Sequence, residues 1–163
     1  MLSVKANFSE YQFVIGGAPS LPASFYKPFL SGSTAIIFDQ TYDLLKIAEA
    51  ALVTSGTATL ETAIFNVPQV VCYKAGAITY QIAKRLINVK YISLVNLILD
   101  KECVTELIQD ELNTERITEE LNQILGTNRA RQLDKYKTLR ELLGGSGASA
   151  KTASLMLKTL KSA

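Results

Sequence analysis

Four short apolar runs punctuate the first half of the chain, each continuous rather than alternating: Tyr11-Gln12-Phe13-Val14-Ile15, Ala35-Ile36-Ile37-Phe38, Ala50-Ala51-Leu52-Val53-Thr54 and Gln69-Val70-Val71-Cys72-Tyr73. Unbroken runs of this length predict strands buried on both faces, as in parallel sheets covered by helices. The first is closed by Gly16-Gly17-Ala18-Pro19, read as a turn. Between the runs lie segments of helical spacing: residues 41–48, with Leu44, Leu45 and Ala48 on one side, and residues 59–65. Strand, helix, strand, helix predicts an α/β fold, a Rossmann-like doubly wound parallel sheet with right-handed crossovers.

Past Tyr73 the pattern predicts a helix over 78–87, an extended or irregular apolar stretch over 91–99, and an almost wholly helical chain from 104 onward. Ile117, Leu121, Ile124 and Leu125 mark one amphipathic face, and Leu133, Tyr136, Leu139, Leu142 and Leu143 another. Gly144-Gly145-Ser146-Gly147 then breaks the pattern before a last helix over 148–161. Residues 1–163 are expected to form a single domain with C-terminal helices over 104–163, without internal repeats.

Composition narrows the chemistry. At 163 residues and 48% hydrophobic, the chain can bury roughly 70% of its unfolded surface and needs no metal or disulfide to fold. It has no histidine, which excludes Ser-His-Asp and Cys-His nucleophiles and any histidine-built zinc centre. Cys72 and Cys103, without CxxC spacing, read as free buried thiols in a reducing compartment. The N-terminus has no basic and apolar leader, and no apolar run reaches the ~18 residues of a membrane span, so a cytoplasmic product is expected. Residues 1–125 carry a net charge of −4 and residues 126–163 of +6. The basic end could meet phosphates, an anionic membrane surface or the acidic stretch 100–120, while the absence of any nucleic-acid motif argues against DNA or RNA.

The stretch with chemical content is Ala51-Leu52-Val53-Thr54-Ser55-Gly56-Thr57-Ala58-Thr59-Leu60-Glu61. A buried strand stops, small hydroxyl residues and one glycine make the turn, and a helix opens. Unpaired N–H groups at such a helix start can cradle a diphosphate, Gly56 permits close approach, and Ser55, Thr57 and Thr59 add hydroxyl donors. An ordinary N-cap is the competing reading. A capping box would need Ser or Thr three residues before Glu61, where Ala58 stands, so Glu61 is left as an acceptor for sugar hydroxyls.

Three motifs in order, T-S-G-T-A-T-L-E-T-A over 54–63, P-Q-V-V-C-Y over 68–73 and Y-I-S-L-V-N-L-I-L over 91–99, resemble the C-terminal half of the lipid-A-disaccharide synthase family. The likeness extends from Tyr11 through the basic C-terminal helices. It implies a GT-B glycosyltransferase that transfers a sugar from UDP-2,3-diacylglucosamine to 2,3-diacylglucosamine 1-phosphate (lipid X), with inversion and with neither metal nor cofactor. Carried over by motif, Ser55, Gly56, Thr57 and Ala58, with Thr59 and Glu61, fall on the family's nucleotide turn. Asn96, in Ser93-Leu94-Val95-Asn96-Leu97, falls on its donor-lining asparagine, and Glu106 and Gln109 match a further motif near the sugar nucleotide. Val95 stands where the family commonly has proline. The resemblance also implies that the acceptor half, the catalytic base and the Gly-Ser-Arg turn of the C-terminal half's first strand lie outside this sequence, so that the chain is inactive alone. It further implies C-terminal segments exchanged between subunits and a peripheral place on the inner membrane; the last helix's apolar stripe, Ala153, Leu155, Met156, Leu157 and Leu160, is expected either to fold back on its own domain or to join a homo-oligomer. A related GT-B UDP-N-acetylglucosamine enzyme and a nucleotide-binding or dimerisation module without turnover are the alternatives.

Overall fold

A computed structural model describes residues 1–30, 32, 34–54, 56–76, 90–145 and 147–161. The strands are β1 (Val14–Gly17), β2 (Ala35–Phe38), β3 (Ala51–Val53), β4 (Gln69–Tyr73) and β5 (Glu106–Ile108). The helices are α1 (Ala23–Tyr26), α2 (Thr41–Ile47), α3 (Thr57–Ile64), α4 (Leu94–Leu99), α5 (Thr114–Leu125), α6 (Arg129–Leu143) and α7 (Ala148–Lys161). All pairings are parallel, β1 with β2 in one ladder and β3-β4-β5 in another. This is the expected α/β, Rossmann-like class.

β4 explains why its residues are apolar without alternation. Val70 and Cys72 meet Ile117, Leu121 and Ile124 of α5 together with Val4 and Phe8. Val71 meets Ala63 of α3, Val95 of α4 and Tyr136 and Leu139 of α6. Both faces are thus covered, which favours apolar side chains at Val70, Val71 and Cys72. Glutamine side chains continue the ladder at both ends. The Gln132 amide pairs with the backbone of Gln69 (N–H to Oε1 2.8 Å, Nε2 to carbonyl 3.1 Å), and the Gln109 amide pairs likewise with Ala75 (2.8 and 3.1 Å). Backbone groups that would otherwise end the ladder unpaired are satisfied by side-chain amides of the same geometry.

The structure corrects several expectations. Gly16 and Gly17 do not form a turn; they are the last residues of β1, paired with Ile37 and Phe38. Glycine is needed there because a Cβ on Gly17 would lie 2.3 Å from the Phe38 ring, the close approach that an in-strand glycine often marks. Gly17→Ala is expected to destabilise the fold by about 1–3 kcal/mol through overpacking, readable as a lower urea midpoint with an unchanged slope.

The stretch 91–99, expected to be extended or irregular, contains helix α4. The Ser93 side chain accepts from the Asn96 N–H (3.3 Å) and caps it, and Asp100 ends it with φ 47°. A short buried run does not reveal its period, so the cap was the informative signal. Within the region expected to be almost wholly helical, Glu106–Ile108 forms β5, because Leu107 is almost fully buried in the sheet core and pairing with β4 overrides local preference. In α6, Tyr136 and Leu139 are fully buried, whereas Leu142 and Leu143 are exposed. The helix expected at 78–87 lies outside the described residues, as does Ser146. The stripe on α7 is open: Leu155, Met156, Leu157 and Leu160 are all more than half exposed and no α7 residue is buried.

Cys72 and Cys103 are free and buried. Burial pushes both thiols up from 9.0 to about 11, and it also pushes the Tyr136 phenol upward. The folded state therefore holds these protons more tightly than the unfolded one. Their contribution is complete below pH 9 and is lost as pH rises through about 11. Urea unfolding is expected to show a midpoint insensitive to these groups around neutrality and falling between pH 9 and 11.

Candidate functional site

β3 ends at Val53 and α3 opens at Thr57. Gly56 makes the turn with φ 121° and ψ −159°, a backbone region that is essentially restricted to glycine. Its carbonyl accepts from the Thr59 hydroxyl (2.8 Å) and the Thr59 N–H (3.2 Å). No side chain caps the helix, and among the described residues no acceptor meets the N–H groups of Thr57 or Ala58. Among the described residues, a Cβ built on Gly56 would meet nothing within 4 Å. Thr57 is exposed, Ala58 half-buried and Glu61 half-buried on the next turn. Thr59 is fully buried with its hydroxyl turned onto the Gly56 carbonyl; it builds the turn. Ser55 lies outside the described residues.

Of the other site residues predicted from sequence, Asn96 and Glu106 are brought together as a second cluster, which Gln109 does not join. Asn96 is fully buried. Its Oδ1 accepts from the N–H groups of Cys103 (2.7 Å) and Val104 (3.0 Å), and its Nδ2 donates to the Val104 carbonyl (2.8 Å) and to Glu106 Oε1 (2.8 Å). Glu106 also accepts from the N–H groups of Ile92 (2.8 Å) and Ser93 (3.0 Å). Its carboxylate thereby meets backbone donors at the opening of α4, where negative charge is favoured. Gln109, one residue beyond β5, spends its amide on Ala75.

A cleft of about 290 Å³ lies beside this cluster, lined by Tyr91, Asn96, Thr105, Glu106 and Arg116 among others. No α3 residue lines it. The two groups of predicted residues are joined instead through packing, since Leu60 of α3 and Val95 of α4 share one core cluster. Sequence reasoning missed Gln69, Gln132 and Tyr136, a buried polar set linking β4, α3 and α6. A polar residue opening the apolar run 69–73 was the available signal.

A sequence profile described as lipid-A-disaccharide synthetase matches residues 28–158. The chain belongs to the lipid-A-disaccharide synthase family. It is 32% identical over 162 residues to the lipid-A-disaccharide synthase of Geobacter sulfurreducens, covering 96% of this chain and 42% of that protein. To the enzyme of that name from Syntrophus aciditrophicus it is 37% identical over 161 residues, covering 95% and 42%. To that from Psychromonas ingrahamii it is 44% identical over 108 residues, covering 66% and 28%. The chain thus spans about two-fifths of the length of the first two relatives. Both clusters, the α3 turn and the Asn96–Glu106 pair, and Gln109 as well, lie inside the part that matches the lipid-A-disaccharide synthetase profile, whereas β1 lies outside it. Among the described residues no helix is long and apolar enough to cross a membrane.

Proposed function

We propose that this chain is the sugar-nucleotide-holding part of a lipid-A-disaccharide synthase, a GT-B glycosyltransferase of lipid A biosynthesis, with UDP-2,3-diacylglucosamine as donor and lipid X as acceptor. The observation that carries the reading is the glycine-capped start of α3. At the carboxyl end of a parallel strand stand two N–H groups that, among the described residues, have no acceptor and no atom within 4 Å of the adjoining Gly56 Cβ position. Parallel α/β sheets bind ligands at that edge, and helix starts favour anions. The diphosphate would lie over Ser55, Gly56, Thr57 and Ala58, with Glu61 accepting from sugar hydroxyls. Thr59 would serve by shaping the turn, and Asn96, Glu106 and Gln109 by fixing the backbone on the donor side.

The acceptor pocket and the base that deprotonates the attacking hydroxyl are assigned to the part of the relatives that this chain does not span. Departure with inversion then needs a chain that carries both parts. The exposed apolar stripe of α7 is assigned to self-association, and the basic end, +6 over residues 126–163, to an anionic cytoplasmic membrane surface at roughly 1 kcal/mol per well-placed Lys or Arg.

Titration calorimetry of this chain with UDP in EDTA tests the nucleotide reading. Saturable binding is the expected result, and absence of any heat that saturates would contradict it. Incubated alone with both substrates, the chain is expected to yield no tetraacyl disaccharide phosphate; formation of that product would place the base and acceptor pocket within these 163 residues.

A further inference from the structure

The polar set under α3 is not accounted for by the sheet alone. Gln69 opens β4 and is fully buried. Its backbone is already served by the Gln132 side chain, so its own amide is not needed to complete the ladder. That amide donates from Nε2 to the Thr59 carbonyl (2.9 Å) and to the Tyr136 hydroxyl (3.2 Å). The hydroxyl in turn donates to Gln132 Oε1 (3.1 Å), so it can only accept from Gln69, which fixes which end of the amide faces it. Gln69 Oε1 meets no donor among the described residues. A buried acceptor without a partner is unfavourable, and an apolar side chain of similar size would not carry that cost. Stability alone therefore does not explain a glutamine here.

The bonds of Gln69 lead to the turn. Nε2 holds Thr59, and Thr59 holds the Gly56 carbonyl through both its hydroxyl and its N–H. Gly56 occupies a backbone region open to little but glycine, and among the described residues nothing lies within 4 Å of its Cβ position to restrain it. We propose that Gln69 is a positioning residue: through Thr59 it ties the first turn of α3 to the buried Gln132–Tyr136 pair and so holds the Gly56–Ala58 N–H groups in the geometry that receives the diphosphate of a sugar nucleotide. The role rests on the nucleotide reading above, and it trades stability for a preorganised site, a known pattern where a local rule is broken near function.

Gln69→Met separates this role from a merely structural one. The variant keeps the Gln132 bonds to the Gln69 backbone and removes the unpartnered oxygen. Three readings are taken on both proteins: the urea midpoint, amide hydrogen exchange at Thr59, and UDP affinity by calorimetry. The midpoint is expected to hold or rise, exchange at Thr59 to accelerate at least about tenfold, and UDP affinity to fall about five- to tenfold, a change of roughly 1–1.4 kcal/mol. Unchanged exchange at Thr59, or an affinity loss that appears only with a matching loss of global stability, would overturn the proposal. If the unsubstituted chain binds no UDP, the nucleotide reading fails on that result, while exchange at Thr59 still decides whether Gln69 tethers the turn.

Discussion

Asn96→Ala is expected to be the most damaging single substitution in the chain, lowering stability by about 4 kcal/mol. The side chain is fully buried and makes four bonds, to the Cys103 and Val104 N–H groups, the Val104 carbonyl and Glu106. Alanine leaves two buried donors, one carbonyl and a carboxylate oxygen short of a partner, at about 1–3 kcal/mol for each group that water does not reach. For a domain of this size the thermal midpoint should fall by roughly 8–16 °C. Asn96→Asp sharpens the test. Its first oxygen still accepts from Cys103 and Val104, but its second would replace a donor that lies 2.8 Å from both the Val104 carbonyl and Glu106 Oε1. Two carboxylates at that separation cannot both ionise cheaply. The loss should be greatest near neutrality and should partly reverse in mild acid, because the folded pair retains a shared proton that the unfolded chain releases. Equal stability of the Asp variant at both pH values would show that Asn96 and Glu106 are not paired as the geometry indicates.

Gly56→Val is expected to weaken UDP binding at least tenfold while the protein stays folded. Valine at φ 121° and ψ −159° is strained by about 1–3 kcal/mol, and relief requires the turn to rotate, which re-aims the Thr57 and Ala58 N–H groups. Every charge-assisted hydrogen bond to the diphosphate that this rotation breaks costs about 1.5–3 kcal/mol. Among the described residues there is no neighbour within 4 Å for the new Cβ to strike, so core packing should survive. Calorimetry with UDP, alongside the near-ultraviolet dichroism of the folded state, separates the two effects. Native dichroism with unimpaired affinity would remove Gly56 from the site.

Elements with strong local marks were the legible ones. β2 and β4 coincide with their apolar runs, and α7 with its helical pattern, because an unbroken apolar run and a Gly-rich break show without any tertiary contact. β1 was displaced because Gly16-Gly17 looks like a turn until the Phe38 ring is placed against it. β5 was hidden because three residues cannot display a period, and α4 because burial of Val95 and Asn96 erased its amphipathic face. The α3 turn was visible as a strand, a glycine and small residues. The roles of Asn96, Glu106 and Gln109 were not, since their partners at Cys103, Ile92 and Ala75 come together only through the pairing of β5 with β4. Gln69 likewise shows its purpose only once α6 packs beneath α3.

The most direct test of the account is where UDP lands on the chain. In an ¹⁵N-labelled sample titrated with UDP, the backbone N–H signals of Gly56, Thr57 and Ala58 are expected to move first and farthest, with those around Asn96 and Glu106 following weakly through α4. Shifts confined to the cleft beside β5, at Tyr91, Thr105 and Arg116, with the α3 turn unmoved, would contradict it.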